Sequence, residues 1–128
     1  MKRMFDPVGF IDFAKLIESG QPDSNEGTIR SGISRAYYYA YLCTREEAKV
    51  KGYFPQDQEK IWHTDLINKM KKCKPISHQT LAHKLLSLKG NREKADYNLT
   101  VTISLSELNG AIQLAEDIVK QLPGLQHQ

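Results

Sequence analysis

Residues 29–48, IRSGISRAYYYAYLCTREEA, constrain the fold more than any other stretch, because they hold the longest helix-compatible pattern and four of the six tyrosines. Ile29, Ile33, Ala36, Tyr37, Ala40 and Cys43 recur near the 3.6-residue period that puts them on one helical face. Tyr38, Tyr39 and Tyr41 fall off that stripe, which predicts a central helix with neighbours on more than one side. Ala36 and Ala40 let a second helix approach closely, while the tyrosine rings bury large areas and bring hydroxyls that need partners.

The expected neighbour is residues 81–99, where Leu81, Leu85, Leu88, Arg92, Ala95 and Leu99 recur at steps of three and four. Arg92 is the anomaly in that apolar stripe. A buried guanidinium without a partner costs several kcal/mol, about the scale that decides whether a small domain folds. Arg92 therefore needs Asp96 one turn on, a tyrosine hydroxyl, a second chain or water.

The remaining elements read as helices joined by mostly short connections. Asp6 as N-cap and Pro7 at the first helical position open a helix over residues 7–19 with Phe10, Phe13, Ala14 and Ile17 inward, stopped at Gly20. Ser24 or Asn25 caps the central helix, which runs to Gly52, and close packing is expected at Gly27 and Gly32. A third helix opens at Asp57 or Gln58, carries Ile61, Trp62, Leu66, Ile67 and Met70, and ends at Lys74 and Pro75. Ser77 caps the fourth, which Gly90 and Asn91 kink or divide just before Arg92. Residues 98–104, NLTVTIS, alternate like a strand, but no comparable run exists to pair with them, so they read as an extended connection. Ser104 and Glu107 form a capping box for a last helix with Leu105, Leu108, Ile112, Ala115 and Val119 inward, ended by Pro123 and Gly124. The expectation is an all-α, up-and-down bundle of about five helices in one domain over residues 1–128, frayed from about residue 123.

Composition narrows the function classes. A net charge of +3 is mildly basic, and Lys69, Lys71, Lys72 and Lys74 read as cations at a helix C-terminus, so nucleic-acid binding is permitted without being demanded. Two cysteines are too few for a disulfide framework, which with the lack of a signal-like or membrane-length apolar run predicts a cytoplasmic protein with no membrane contact. Cys73, His78 and His83 stand at five-residue steps that do not share a helix face, so no metal is expected, and no cofactor motif is present. Cys43 on the core stripe reads as a packing thiol. What remains is Asn91, Arg92, Asp96 and Tyr97 opposite Arg35, Tyr37 and Tyr38. That cluster is either a polar clasp fixing two helices or a phosphate site.

The pair ISRAYYYAYL and, some fifty residues on, LKGNREKADYNL resembles the HEPN superfamily (higher eukaryotes and prokaryotes nucleotide-binding domain), especially small prokaryotic members with an SRAYYA helix and an R-x-x-ADY helix. The resemblance covers about residues 10–122. It implies a helical bundle that dimerises through these helices and, in many members, metal-independent endoribonuclease activity in toxin–antitoxin, CRISPR-associated or anti-phage systems. There an arginine steadies the phosphate charge, and a histidine after four to six intervening residues moves the proton as the ribose 2′-hydroxyl attacks. Carried onto this chain, Arg92 matches the arginine and the five-residue step lands on Tyr97. Tyrosine titrates near 10 and histidine near 6.5, so a phenol is a poor base at neutral pH.

The resemblance with that departure implies a nuclease-inactive accessory or regulatory subunit, forming a homodimer or a hetero-complex with an operon-encoded effector. Its nucleotide, phosphate or partner-binding residues would be Arg35, Tyr38, Asn91, Arg92, Asp96 and Tyr97. Two alternatives stand beside it. One is an active RNA-cleaving toxin using Arg92 with Asp96, Tyr97 or a histidine from elsewhere, such as His63 or His83. The other is a nucleotide sensor that stacks a base on the tyrosines, with its phosphates at Arg92 and Arg35.

Overall fold

The computed structural model describes residues 5–20, 25–55, 57–58, 60–73 and 76–124. They form five helices, α1 (Val8–Glu18), α2 (Glu26–Val50), α3 (His63–Lys71), α4 (Ile76–Tyr97) and α5 (Leu105–Gln121), followed by a short 3₁₀ turn at Leu122–Gly124. There is no strand among the described residues, so residues 98–104 are the expected connection. The protein is an all-α helical bundle.

The central helix is α2, which packs against α1, α4 and α5, while α3 packs on α4. Its stripe is buried at Ile29, Ile33, Ala36, Tyr37 and Ala40, and Cys43 is half-buried. Tyr41 is also buried, because neighbours on several sides widen the covered arc beyond one stripe. Gly32 marks the closest approach: a Cβ there would stand 2.8 Å from Leu108 Cδ1 of α5. Gly27 meets only the Asn25 side chain and shows no such packing.

Local chemistry sets the ends. Asp6 Oδ1 accepts the Val8 N–H at 3.0 Å, and Pro7 already has helical dihedrals, as a proline-led first turn requires. Asn25 and Thr28 cap α2 reciprocally, and Ser104 and Glu107 cap α5 in the same way. Ser24, the other candidate cap, lies outside the described residues, as do Lys74, Pro75 and the tail 125–128. Gly20 and Gly52, at φ +88° and +82°, end α1 and α2 in the left-handed conformation that glycine adopts without strain.

Several expectations are corrected. In α1 the buried face is Ile11, Ala14 and Ile17, Phe10 is half-buried and Phe13 exposed, because the arc that meets α2 and α5 keeps Ala14 and Ile17 and extends to Ile11 rather than to Phe13. Helix α3 starts at His63 rather than at Asp57 or Gln58: the Tyr41 hydroxyl donates to the Ile61 carbonyl, and Trp62 is extended at ψ 147°. Ser77 lies inside α4 rather than capping it, and α4 runs undivided through Gly90 and Asn91. Leu99 is beyond the helix and exposed. In α5 the buried set is Leu108, Ala111, Ile112, Ala115 and Ile118; Leu105 is exposed and Val119 half-buried.

Arg30 closes the far end of α4, a role the sequence reading did not assign. Its Nη1 donates to the Ala95 and Asn98 carbonyls at 3.0 Å each and its Nη2 to Val101 O at 2.6 Å. Those carbonyls belong to the end of α4 and the turn after it, groups a helix terminus leaves unpaired. Glu26 sits beside Arg30 at 3.6 Å and accepts the Ile103 N–H, so α2 fixes the connection that follows Tyr97.

Candidate functional site

The site grows from the crossing of α2 and α4. Tyr37 and Tyr38 project from α2 and Arg92, Asp96 and Tyr97 from α4, and the start of α3 brings His63 to the same place. The Arg92 guanidinium carbon lies 5.3 Å from the Tyr37 ring centroid, 5.6 Å from Tyr38 and 5.9 Å from Tyr97. Each such contact contributes about 0.5–2 kcal/mol, more where water is excluded. Arg92 Nη1 meets Asp96 Oδ2 at 3.4 Å, and the Ser34 hydroxyl donates to that same oxygen at 3.4 Å. The Arg92 side chain is only 11% exposed, and its Nε is buried with no hydrogen-bond partner among the described residues. The buried cation thus leans on ring faces and one long ion pair.

His63 is the residue that spacing along one helix missed. Its ring stacks on Tyr41, with centroids 4.0 Å apart and planes 8° apart, and lies nearly parallel to Tyr37 at 5.4 Å. Its Nδ1 shares a hydrogen bond with the Tyr37 hydroxyl. Arg92 and His63 therefore both contact Tyr37 and Tyr38, one through cation–π geometry and the other through ring contacts. Burial, then the positive charges of Arg92 and Lys89, lower the His63 pKa, so its imidazole is neutral at pH 7. Burial raises the Tyr37 pKa, so that phenol keeps its proton. The Tyr37–His63 bond runs either way with the imidazole tautomer; in the tautomer whose Nδ1–H donates to the phenol oxygen, Nε2 retains the lone pair a general base needs.

The other candidates scatter. Arg35 turns to α1, its guanidinium carbon 5.2 Å from the Phe10 ring centroid, away from the Arg92 group. Asn91 lines a small cavity facing α5, with Ile33, Lys94 and Glu107 among its neighbours. His83 is exposed on α4, and His78 is buried and bonded to the Tyr53 hydroxyl. No group of three or more His, Cys, Asp or Glu side chains among the described residues could hold a metal ion. Cys43 is half-buried, and burial pushes its thiol up to about 11, which makes it a poor nucleophile. None of the helices, among the described residues, is long and apolar enough to cross a membrane.

A cleft of about 710 Å³ lies on another side of the bundle, with Leu42, Cys43, Val50, Val119 and Leu122 in its wall. It adjoins both ends of the described chain, at Phe5 and Pro123, and touches none of the Arg92 group. Comparison with protein-family models, curated proteins and solved structures found no match to this chain.

Proposed function

We propose that this protein is a HEPN-type helical domain acting on single-stranded RNA, with Arg92 and His63 as its working pair. One observation carries the reading: a neutral histidine and a buried arginine share the same two tyrosines, although 29 positions separate them in the chain. The sequence argument against cleavage rested on tyrosine at position 97, and His63, from α3, would supply the imidazole that position 97 lacks.

The chemistry that suits the pair is 2′-hydroxyl attack on the adjacent phosphodiester. His63 Nε2 takes the 2′-hydroxyl proton, the 2′-oxygen bonds to phosphorus, and the bond to the 5′-oxygen breaks as that oxygen gains a proton from water. Arg92 offsets the charge gathering on the non-bridging oxygens. No metal is called for. Incubating the purified chain with single-stranded RNA in excess EDTA tests this: 2′,3′-cyclic phosphate and 5′-hydroxyl ends are expected, and RNA left intact across pH 6–8 would contradict it.

A second reading is favoured by how closed the cation is. Arg92 is nearly buried, and Tyr97, itself 72% exposed, lies over it, so a substrate phosphate reaches the guanidinium only if Tyr97 swings aside. On this reading the group is a clasp in a non-cleaving regulatory subunit that pairs with itself or with an effector protein. Intact RNA together with Arg92→Ala losing the oligomer in native mass spectrometry, at an unchanged melting temperature, would favour it.

A further inference from the structure

Next to His63 the chain exposes its one tryptophan. Trp62 occupies the cap position of α3 and is 66% exposed, an unusual place for the largest side chain in the protein. It borders a cavity of about 240 Å³ whose other walls are Tyr41, Arg45, Lys60, Ile61 and His63. That volume lies below the roughly 300–1,000 Å³ of whole-ligand pockets, so it suits one ring system of a longer ligand.

Two cations, Arg45 and Lys60, line it, and Arg45 meets Glu46 at 3.1 Å. Lys60 is exposed at the rim. The polar backbone at the back wall is already satisfied, since the Ile61 carbonyl accepts the Tyr41 hydroxyl. An open indole, a stacked Tyr41–His63 pair and two lining cations make up the combination by which proteins hold single strands: ring faces for bases, cations for phosphates.

We infer that Trp62 and this cavity form a subsite for one nucleotide of single-stranded RNA, its base stacked on the indole and its phosphate held by Lys60 and Arg45. The inference rests on the RNA reading above and deepens it: the subsite sets which phosphodiester comes to His63, because Trp62 and His63 are adjacent in the chain. Trp62 and Lys60 act through binding and move no proton.

The probe is a 2′-O-methyl oligoadenylate of about ten nucleotides, which lacks the attacking hydroxyl and so separates binding from cleavage. Trp62 is the only tryptophan, so its fluorescence reports this site alone. Saturable quenching is expected. Fluorescence anisotropy of labelled oligonucleotide should show Trp62→Ala binding at least about fivefold more weakly, the loss of one stacked base. Lys60→Gln should lessen the salt slope of log affinity by about 0.7, the single-strand value for one phosphate contact. Unchanged Trp62 emission at saturation, wild-type affinity in Trp62→Ala, or no binding by either readout would overturn the subsite. Cleavage of natural RNA with unquenched Trp62 removes the subsite and leaves the RNA reading standing. Quenching without cleavage keeps the subsite and removes the catalytic step.

Discussion

His63 loses hydration where its ring lies against Tyr41 and shares its Nδ1 with Tyr37, and the nearby Arg92 and Lys89 charges further disfavour a proton. Its pKa is therefore lower in the folded state than in the unfolded one. The unfolded chain then takes up the extra proton as pH falls, so this residue's contribution is complete above about 6.5, the ordinary imidazole value, and is lost as pH drops towards the lowered folded value. Thermal melts from pH 7.5 to 5 should show wild type losing more stability than His63→Gln; parallel curves would contradict the lowered pKa. That Arg92, Asp96, Tyr97 and Tyr38 come together was legible in the sequence, because a charge on an apolar stripe must find partners on its own helix or on the one packed against it. Arg35 and Asn91 were placed there by proximity in sequence and stand on other faces, since one residue along a helix turns the side chain by about 100°.

At the scale of elements, two caps and the central role of α2 were legible because they follow local rules: Asn25, one of two candidates for α2, Ser104 with Glu107, and a two-sided stripe of tyrosines, whereas the Ser77 cap expected for α4 was not borne out. The start of α3 was not, because a long-range bond from Tyr41 to the Ile61 carbonyl holds the chain extended up to Trp62, and no local residue announces it. Nor was the hold of Arg30 on the end of α4, made by a side chain more than sixty positions away. Glycines test the packing directly. Gly32→Val puts a branched side chain where even a Cβ stands 2.8 Å from the fully buried Leu108, and chemical denaturation should show a loss of about 1–3 kcal/mol. Gly90 sits in α4 with nothing within 4 Å of such a Cβ, so Gly90→Ala should gain up to about 1 kcal/mol. The reverse ordering would mean that α2 and α5 are not in close contact.

For the whole molecule, the bundle brings three separate stretches to one place: α2 supplies ring faces, α4 the cation, and α3 the imidazole. Ion pairs between Lys15 and Glu116 and between Lys84 and Asp117 tie α5 to α1 and to α4 on the outside, partly exposed pairs that each add only about 0–1 kcal/mol. The helical architecture was legible because apolar periodicity reports which faces are covered; the composite site was not, because periodicity says nothing of which helix end meets which helix middle. The central claim is that Arg92 and His63 work as one unit on an RNA phosphodiester. A double-mutant cycle of RNA cleavage rates tests it most directly. Groups acting together on one step are strongly non-additive, so Arg92→Ala and His63→Ala should each abolish nearly all cleavage, with the double variant scarcely slower than either. Cleavage that survives both substitutions, or is absent from the wild-type protein, would contradict the account.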